Sequence, residues 1–169
     1  MAEEELAGAI LGLQDLPAGY SQDPPSAKST DKMFCDYVPP FTPKVTAFRG
    51  FTKGGGMSAE ILSIGLREFA SPEEAKAAFD ALTHALESCT GETYQGTRLT
   101  YAPMSAPKVG DGSVGVKMSA HGTDLLQFFA LVGPTLINTG GGGLMNASAD
   151  EITSLLEAQV NAYQGVAAH

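Results

Sequence analysis

Hydrophobic and polar residues follow two different periods along this chain, and each period predicts a set of elements. Alternation with period two, or a short apolar run, is typical of strands and occurs in six stretches: residues 45–51, 58–69, 97–103, 113–120, 125–132 and 135–139. Apolar residues at three- and four-residue spacing predict amphipathic helices in three stretches: residues 5–15, 71–89 and 148–163. The predicted order is helix, hairpin, helix, three or four strands and helix.

The spacing of these elements predicts the fold class. Short loops between consecutive strands favour antiparallel pairing over crossover connections. A chain of 169 residues suits one domain. We therefore expect a single α+β domain over 1–169, with a twisted antiparallel sheet of about five to six strands flanked by helices. Residues 20–44, which are polar at first and include Pro24 and Pro25, are predicted to form an irregular loop.

Capping and glycine signals set the predicted boundaries. Ser71, Pro72 and Glu74 form the start signal of the middle helix, and the glycines at 54–56 predict the tip of a hairpin. Four glycines at 140–143 precede the last helix, but the lysine and hydroxyl residue of a Walker loop are missing. We predict a flexible connection between a strand and the last helix at these positions.

The chain is acidic, with 10 Lys and Arg against 19 Asp and Glu and a net charge of −9. An acidic surface without a basic cluster repels phosphate backbones and anionic lipids, which argues against binding nucleic acid or a membrane surface. Glu3, Glu4 and Glu5 do not fit the basic start of a signal peptide. If the protein is exported, we expect its targeting segment, and any lipid anchor, to have been removed from this sequence.

Two cysteines, Cys35 and Cys89, stand alone without a CxxC neighbour, so zinc and dithiol redox sites are not indicated. One disulfide between them in an oxidising compartment is the leading interpretation, and it would hold the 20–44 loop against the middle helix. Two buried, reduced thiols are the alternative. The disulfide is the main reason to expect an extracytoplasmic location.

Aromatic residues provide the candidate binding surface. The segment 34–43 combines aromatics with prolines, which stiffen a loop and lower the ordering cost of binding. Six aromatic residues are the candidate ligand or partner contacts: Phe34, Tyr37, Phe41, Phe48, Phe51 and Phe128. We expect the surface to lie between this loop and a sheet face that carries Phe48 and Phe128. The alternative role of these residues is packing in the core.

No catalytic, metal or cofactor site is predicted. The sequence contains neither GxSxG nor HExxH. His84 lies four residues from Asp80 on the middle helix, and His121 lies three residues from Asp124 in a predicted turn. His169 is terminal. Surface positions explain these histidines better than an acid–base pair does, and a hydrolase with an unrecognised Ser or His site is kept as an alternative.

Four features of the sequence resemble a group of actinobacterial envelope proteins. They are the Asp-Leu-Pro-Ala-Gly-Tyr segment at 15–20, the Phe-Ala-Ser-Pro-Glu-Glu-Ala helix start at 69–75, Gly110-Asp111 before a strand, and a strand ending near Gly140. The group comprises secreted sensor-like domains similar to the extracellular domain of the mycobacterial kinase PknH, and lipoproteins similar to LpqN.

This resemblance implies an exported, often lipid-anchored protein with a twisted antiparallel sheet flanked by helices and a binding or sensing role. It carries over no catalytic residue. The PknH-like pattern has two disulfides, whereas this chain has cysteines for only one. The chain also lacks a lipid-acceptor cysteine at its start.

These observations together predict a non-enzymatic binding or sensor module of the cell envelope. Its partner would be another protein or a small apolar molecule or envelope component, and no cofactor is expected. An accessory subunit of a membrane or surface protein assembly is the first alternative. Surface shape separates the partner classes, since a closed pocket favours a small molecule and a flat patch favours a protein.

Overall fold

A computed structural model of the chain describes residues 3–16, 18–23, 37, 40–54, 60–120, 122–143 and 149–167. The helices in this part are α1 (Glu3–Ala9), α2 (Pro72–Ser88) and α3 (Ala149–Ala167), with a 3₁₀ turn at Leu13–Asp15. The strands are β1 (Tyr20–Gln22), β2 (Val45–Lys53), β3 (Glu60–Glu68), β4 (Gly91–Tyr94), β5 (Thr97–Met104), β6 (Gly112–Ala120), β7 (Thr123–Val132) and β8 (Thr135–Gly143). No helix in these ranges is both long enough and apolar enough to cross a membrane.

All eight strands belong to one sheet, with the spatial order β1-β2-β3-β8-β7-β6-β5-β4. Every pair of neighbours is antiparallel, which confirms the predicted α+β class and the antiparallel pairing. The expected count of about five to six strands was too low, because the pattern of apolar residues does not reveal β1 and β4.

The two unpredicted strands are the two edges of the sheet. They are only three and four residues long, which is too short for a period to show. The predicted irregular loop at 20–44 therefore begins with a strand, since Tyr20–Gln22 pairs with the end of β2.

Glycines 140–143 are part of β8, which corrects the prediction of a flexible connection. Their backbone pairs with β3 on one side and with β7 on the other. Glycine has a poor propensity for strands, so the local sequence alone argues for a loop here. Two flanking strands and closely packed neighbouring side chains hold these glycines in the sheet instead.

The sheet has two faces, because successive side chains of a strand point to opposite sides. The first face packs under α1 and α3. Its buried core draws from the sheet on Phe51, Leu62, Ile64, Leu126 and Phe128. The helices add Leu6, Ile10, Ile152, Leu156 and Val160 to the same core. The helical spacing of the sequence predicts these α3 positions correctly.

Two polar side chains fasten α1 to this core. Gln159 of α3 is fully buried; its amide donates to the carbonyl of Ala9 and accepts from the N–H of Leu11, both at 2.8 Å. Arg49 of β2 donates from Nη1 to the carbonyls of Ile10 and Leu11 at 3.3 and 3.1 Å. These bonds serve backbone groups at and just beyond the C-terminal end of α1, where a helix leaves carbonyl groups unpaired.

Among the described residues, α2 covers part of the second face. This helix begins as predicted, because Oγ of Ser71 accepts from the N–H of Glu74 at 3.2 Å. Its main sheet contacts are with β5, β7 and β8. The buried residues on this side are Phe69, Ala75, Ala78, Leu82, Cys89, Tyr101, Val116, Phe129, Leu131 and Leu136. The part of the second face formed by β2 and β3 lies outside the cover of α2.

Candidate functional site

Two of the six aromatic candidates, Phe51 and Phe128, are fully buried in the core of the first face. A side chain with no exposed surface cannot touch a partner in this conformation, so both residues act in packing. Phe41 is 40% exposed. The hydroxyl of Tyr37 donates to the carbonyl of Ala78 at 3.1 Å, which holds this ring against α2.

Phe48 lies on the second face, with 57% of its surface exposed. In the register of the sheet it stands in one row with Gly65, Asn138 and Phe129, and residues in such a row share a face. Phe128 is the neighbour of Phe129 along β7 and therefore points to the opposite face. The prediction of one face that carries both Phe48 and Phe128 is wrong.

On the part of the second face outside α2, the described strands bring several small residues together. The register brings together Gly50, Ser63, Gly65, Gly140 and Gly142, from β2, β3 and β8. We call this set the glycine platform. Because little or no side chain rises from these positions, the surface consists of backbone and of the side chains that lie across it.

Two side-chain amides lie across the platform. The amide of Asn138 occupies the space that a Cβ on Gly65 would need, and the amide of Gln127 does the same at Gly140, with Nε2 2.5 Å from the ideal Cβ position. Both side chains are partly exposed. No hydrogen bond joins either amide to another described residue. Each amide can therefore offer N–H donors and a carbonyl acceptor to a partner.

Exposed apolar side chains and one cation border the platform. Phe48 stands on one side, and Ile61, which is 45% exposed, stands on another. Arg67 lies beside Thr46 in the register, and within the described ranges it forms no ion pair. Burial raises the pKa of the nearby Tyr37 phenol, although the charge of Arg67 acts in the opposite direction. Asp23 adds a carboxylate, whose Oδ2 lies 3.1 Å from the ideal Cβ position of Gly50. The face thus combines amides without a described partner, apolar surface and one charge of each sign.

The sequence contains only a weak signal for the two amides. Gln127 interrupts the apolar run at 125–132, and Asn138 shortly precedes the glycines of β8. With a loop predicted at 140–143, this signal has no meaning. The platform exists only when these glycines form a strand next to β3.

A cleft at one end of the sheet, between β1, β3, β8 and the start of α3, has a cavity volume of about 30 Å³. The hydroxyl of Tyr20 donates to Oε1 of Glu151 at 2.8 Å. Burial first, and then this carboxylate, raise the pKa of the Tyr20 phenol well above its usual value. Lys53 Nζ lies 3.9 Å from Oε2 of Glu60 and 5.6 Å from the centre of the Tyr20 ring. These polar groups engage one another, and the cleft is smaller than most ligand pockets, which hold roughly 300–1,000 Å³.

The remaining polar candidates do not assemble into a catalytic or metal site in the described part of the chain. Asp80 forms an ion pair with Lys76 at 2.7 Å, and His84 is exposed on α2. Asp124 accepts from the hydroxyl of Ser119 at 2.6 Å. Among the described residues no group of three or more His, Cys, Asp or Glu could hold a metal ion. Three candidates of the sequence lie outside those residues: Phe34, His121 and His169.

Cys89 follows the last residue of α2 and is buried, with 4% of its surface exposed. Its N–H donates to the carbonyl of Ala85 at 2.8 Å, which closes the last turn of the helix. Cys35 lies outside the described residues. The disulfide between the two cysteines therefore stays a prediction.

No protein-family model and no curated protein matches the sequence. Among solved structures, the extracellular domain of PknH from Mycobacterium tuberculosis is similar over 100% of this chain and 98% of its own, with a TM-score of 0.69 and 13% identity. An uncharacterized protein from Mycobacterium smegmatis, an Rv0999 ortholog, is similar over 89% of this chain and 92% of its own, with a TM-score of 0.54 and 12% identity. At these identities the similarity shows the fold alone. The chain therefore has the fold of the PknH extracellular domain, as the resemblance in its sequence predicts.

Proposed function

We propose that this chain is an extracytoplasmic, non-catalytic binding or sensor domain of the cell envelope. The observation that carries the proposal is the fold, which is similar to the extracellular domain of PknH over nearly the full length of both chains. A lipid anchor outside this sequence, which the resemblance to envelope lipoproteins implies, belongs to the same proposal.

The glycine platform is the contact surface in this proposal. Asn138 and Gln127 supply amides without partners in the described chain, and Phe48 and Ile61 supply exposed apolar surface beside them. Such a flat surface suits a protein better than a small apolar molecule, which needs a concave pocket to bury most of its area. We therefore favour a protein partner.

An intact disulfide in the native protein tests the compartment. Cys89 is buried at the end of α2 and no described cysteine is a free thiol, which supports a bridge to Cys35. We expect non-reducing peptide mapping of protein from cells that express the complete gene to yield one peptide pair joined through these two cysteines. The C89S variant is the control, since it must leave Cys35 reactive towards iodoacetamide. Alkylation of both cysteines in the unreduced native protein would contradict the proposed compartment.

Site-specific photo-cross-linking tests the contact surface. A photoreactive amino acid at Ile61 is compared with one at Leu13, because these residues are similarly exposed, at 45% and 40%, and Leu13 lies away from the platform in the turn after α1. In intact cells we expect a discrete protein adduct from position 61 and none from position 13. Q127R, which places a long charged side chain over Gly140, should abolish the adduct. Equal adducts from both positions, or none from position 61, would argue against the platform.

A further inference from the structure

We propose that the outer edge of β2 binds an extended strand of a partner polypeptide, which would become a ninth strand of the sheet. The inference rests on the binding function proposed above and specifies the form of its partner. Strand addition of this kind draws affinity from backbone hydrogen bonds and specificity from alternate side chains.

In the described part of the chain, the outer side of β2 is paired over only part of its length. β1 covers only Phe51–Lys53, and the N–H of Asp23 then donates to the carbonyl of Gly50 at 2.8 Å. Beyond that bond, no described strand pairs with the outer side of residues 45–49. β2 is therefore an edge strand for half of its length, and edge strands accept further strands readily.

The backbone of this edge offers a defined set of hydrogen-bonding groups. Along an antiparallel strand the N–H and C=O of alternate residues point to opposite sides. Because the carbonyl of Gly50 points towards β1, the N–H and C=O of Phe48 and Thr46 also point outwards, away from β3. The open edge thus presents two donors and two acceptors, which match the alternate residues of one added strand.

The side chains around the edge define what the added strand should carry. Neighbouring strands lie about 4.8 Å apart, so the residue opposite Phe48 would contact the exposed face of its ring. The residue opposite Thr46 would lie across this short side chain from Arg67, which has no ion pair in the described chain. An apolar and an acidic residue, two positions apart on one face, therefore complement this edge.

The position of α1 on the first face favours an extended segment of another protein, and not a second copy of this chain, as the partner of β2. α1 lies over β2, and the Arg49 guanidinium is turned towards the carbonyls of Ile10 and Leu11. Two copies joined edge to edge would bring their α1 helices together, each with Glu3, Glu4 and Glu5 in its first turn. A single extended segment avoids both this crowding and this repulsion.

Nuclear magnetic resonance with a defined peptide tests the edge. The probe is acetyl-Thr-Ile-Thr-Glu-Thr-amide, added up to about 5 mM because a few exposed hydrogen bonds give affinities of millimolar order. We expect shifts and slower solvent exchange for the amides of Thr46 and Phe48. T46P removes one outward N–H without touching the bonds to β3 and should abolish binding, whereas T46V keeps the N–H and should bind normally.

The acidic position is tested separately. R67Q should weaken binding of this peptide about 3- to 10-fold, as loss of a modest ion pair does, and should leave binding of the same peptide with Gln in place of Glu unchanged. Absence of any shift at Thr46 and Phe48, or binding that T46P does not affect, would overturn the proposal. So would concentration-dependent protection of these amides without peptide, since that outcome assigns the edge to a second copy.

Failure of this experiment leaves the proposed function standing if the Cys35–Cys89 peptide pair and the cross-link from position 61 are both found. In that case the partner uses the glycine platform without adding a strand. If the disulfide and the cross-link are also missing, the binding function itself fails.

Discussion

The two faces of the sheet are built from alternate residues of the same strands. They differ in how far their side chains are buried and hydrogen-bonded. On the first face, α1 and α3 bury Phe51 and Phe128 entirely, and the polar Gln159 has both ends of its amide bonded. On the second face, beyond α2, Phe48 stays exposed and Gln127 has no partner among the described residues. The comparison teaches that one set of strands can supply stability on one side and leave a contact surface on the other.

Replacing two phenylalanines should produce the largest difference between the faces. F128A removes a fully buried ring and should lower the free energy of unfolding by about 3–5 kcal/mol, the usual cost of a large cavity. F48A removes a mostly exposed ring and should cost under about 1 kcal/mol. Urea titrations followed by circular dichroism measure both values. Similar losses would show that the second face is as tightly packed as the first.

The next largest difference in stability should come from replacing two glutamines, one on each face. Q159L leaves the carbonyl of Ala9 and the N–H of Leu11 without their partner and should cost about 2–4 kcal/mol, since each buried unsatisfied group costs about 1–3. Q127L breaks no hydrogen bond in the described chain and should change stability by less than about 0.5 kcal/mol. The same urea titrations decide. A large loss for Q127L would show that its amide has a hydrogen-bond partner in the folded protein.

Adjacent glycines of β8 give a sharper test. In G141A the new Cβ would lie 2.5 Å from the carbonyl oxygen of Ile61, 2.9 Å from Cδ2 of Leu62 and 3.2 Å from Cδ1 of Ile152, so we expect a loss of about 1–3 kcal/mol from overpacking. In G140A the nearest atoms to the new Cβ would be the amide end of the Gln127 side chain, which can rotate away, and the change should be nearly neutral because alanine also restricts the unfolded chain.

The midpoint of thermal unfolding of these two variants gives the answer. If G140A proves as destabilising as G141A, then the Gln127 side chain cannot move away from Gly140. The proposed role of the platform as an adaptable surface would then be weakened.

Alkaline pH should produce the smallest effect. Burial and the carboxylate of Glu151 raise the pKa of the Tyr20 phenol, so the folded state disfavours the phenolate. This stabilisation is complete below about pH 10, the ordinary pKa of tyrosine, and is lost as the pH rises further, by at most about 1.4 kcal/mol per pH unit. Y20F should therefore make the loss of stability between about pH 9 and 11 less steep. Y94F, at an exposed tyrosine, is the matched control for the loss of a phenol.

Local signals in the sequence were sufficient for elements whose ends depend on nearby residues. Ser71 and Pro72 start α2 where they predict it, because a helix cap involves only the next few residues. Within 58–69 and 125–132, apolar residues occur on both faces of the strand, which likewise predicts interior strands. β3 and β7 do lie inside the sheet. The resemblance to PknH-like domains rested on such local segments, and it predicts the fold correctly.

The candidate site depended on relations that the sequence does not contain. Whether Phe48 and Phe128 share a face depends on the register of β2, β3, β8 and β7, and a slip of one residue in any pair would reverse the answer. The two amides were missed for the same reason, since Gln127 and Asn138 become neighbours of glycines only through pairing between distant strands.

The sequence by itself determined the helices, the longer strands, the antiparallel α+β class and the acidic character of the chain, because period, capping and charge are properties of short segments. Only the tertiary structure decided that 140–143 is a strand, that β1 and β4 form the two edges of the sheet, and which aromatic rings are buried. Glycine and short edge strands have little preference of their own, so partners far along the chain, through backbone pairing and close packing, must choose their conformation.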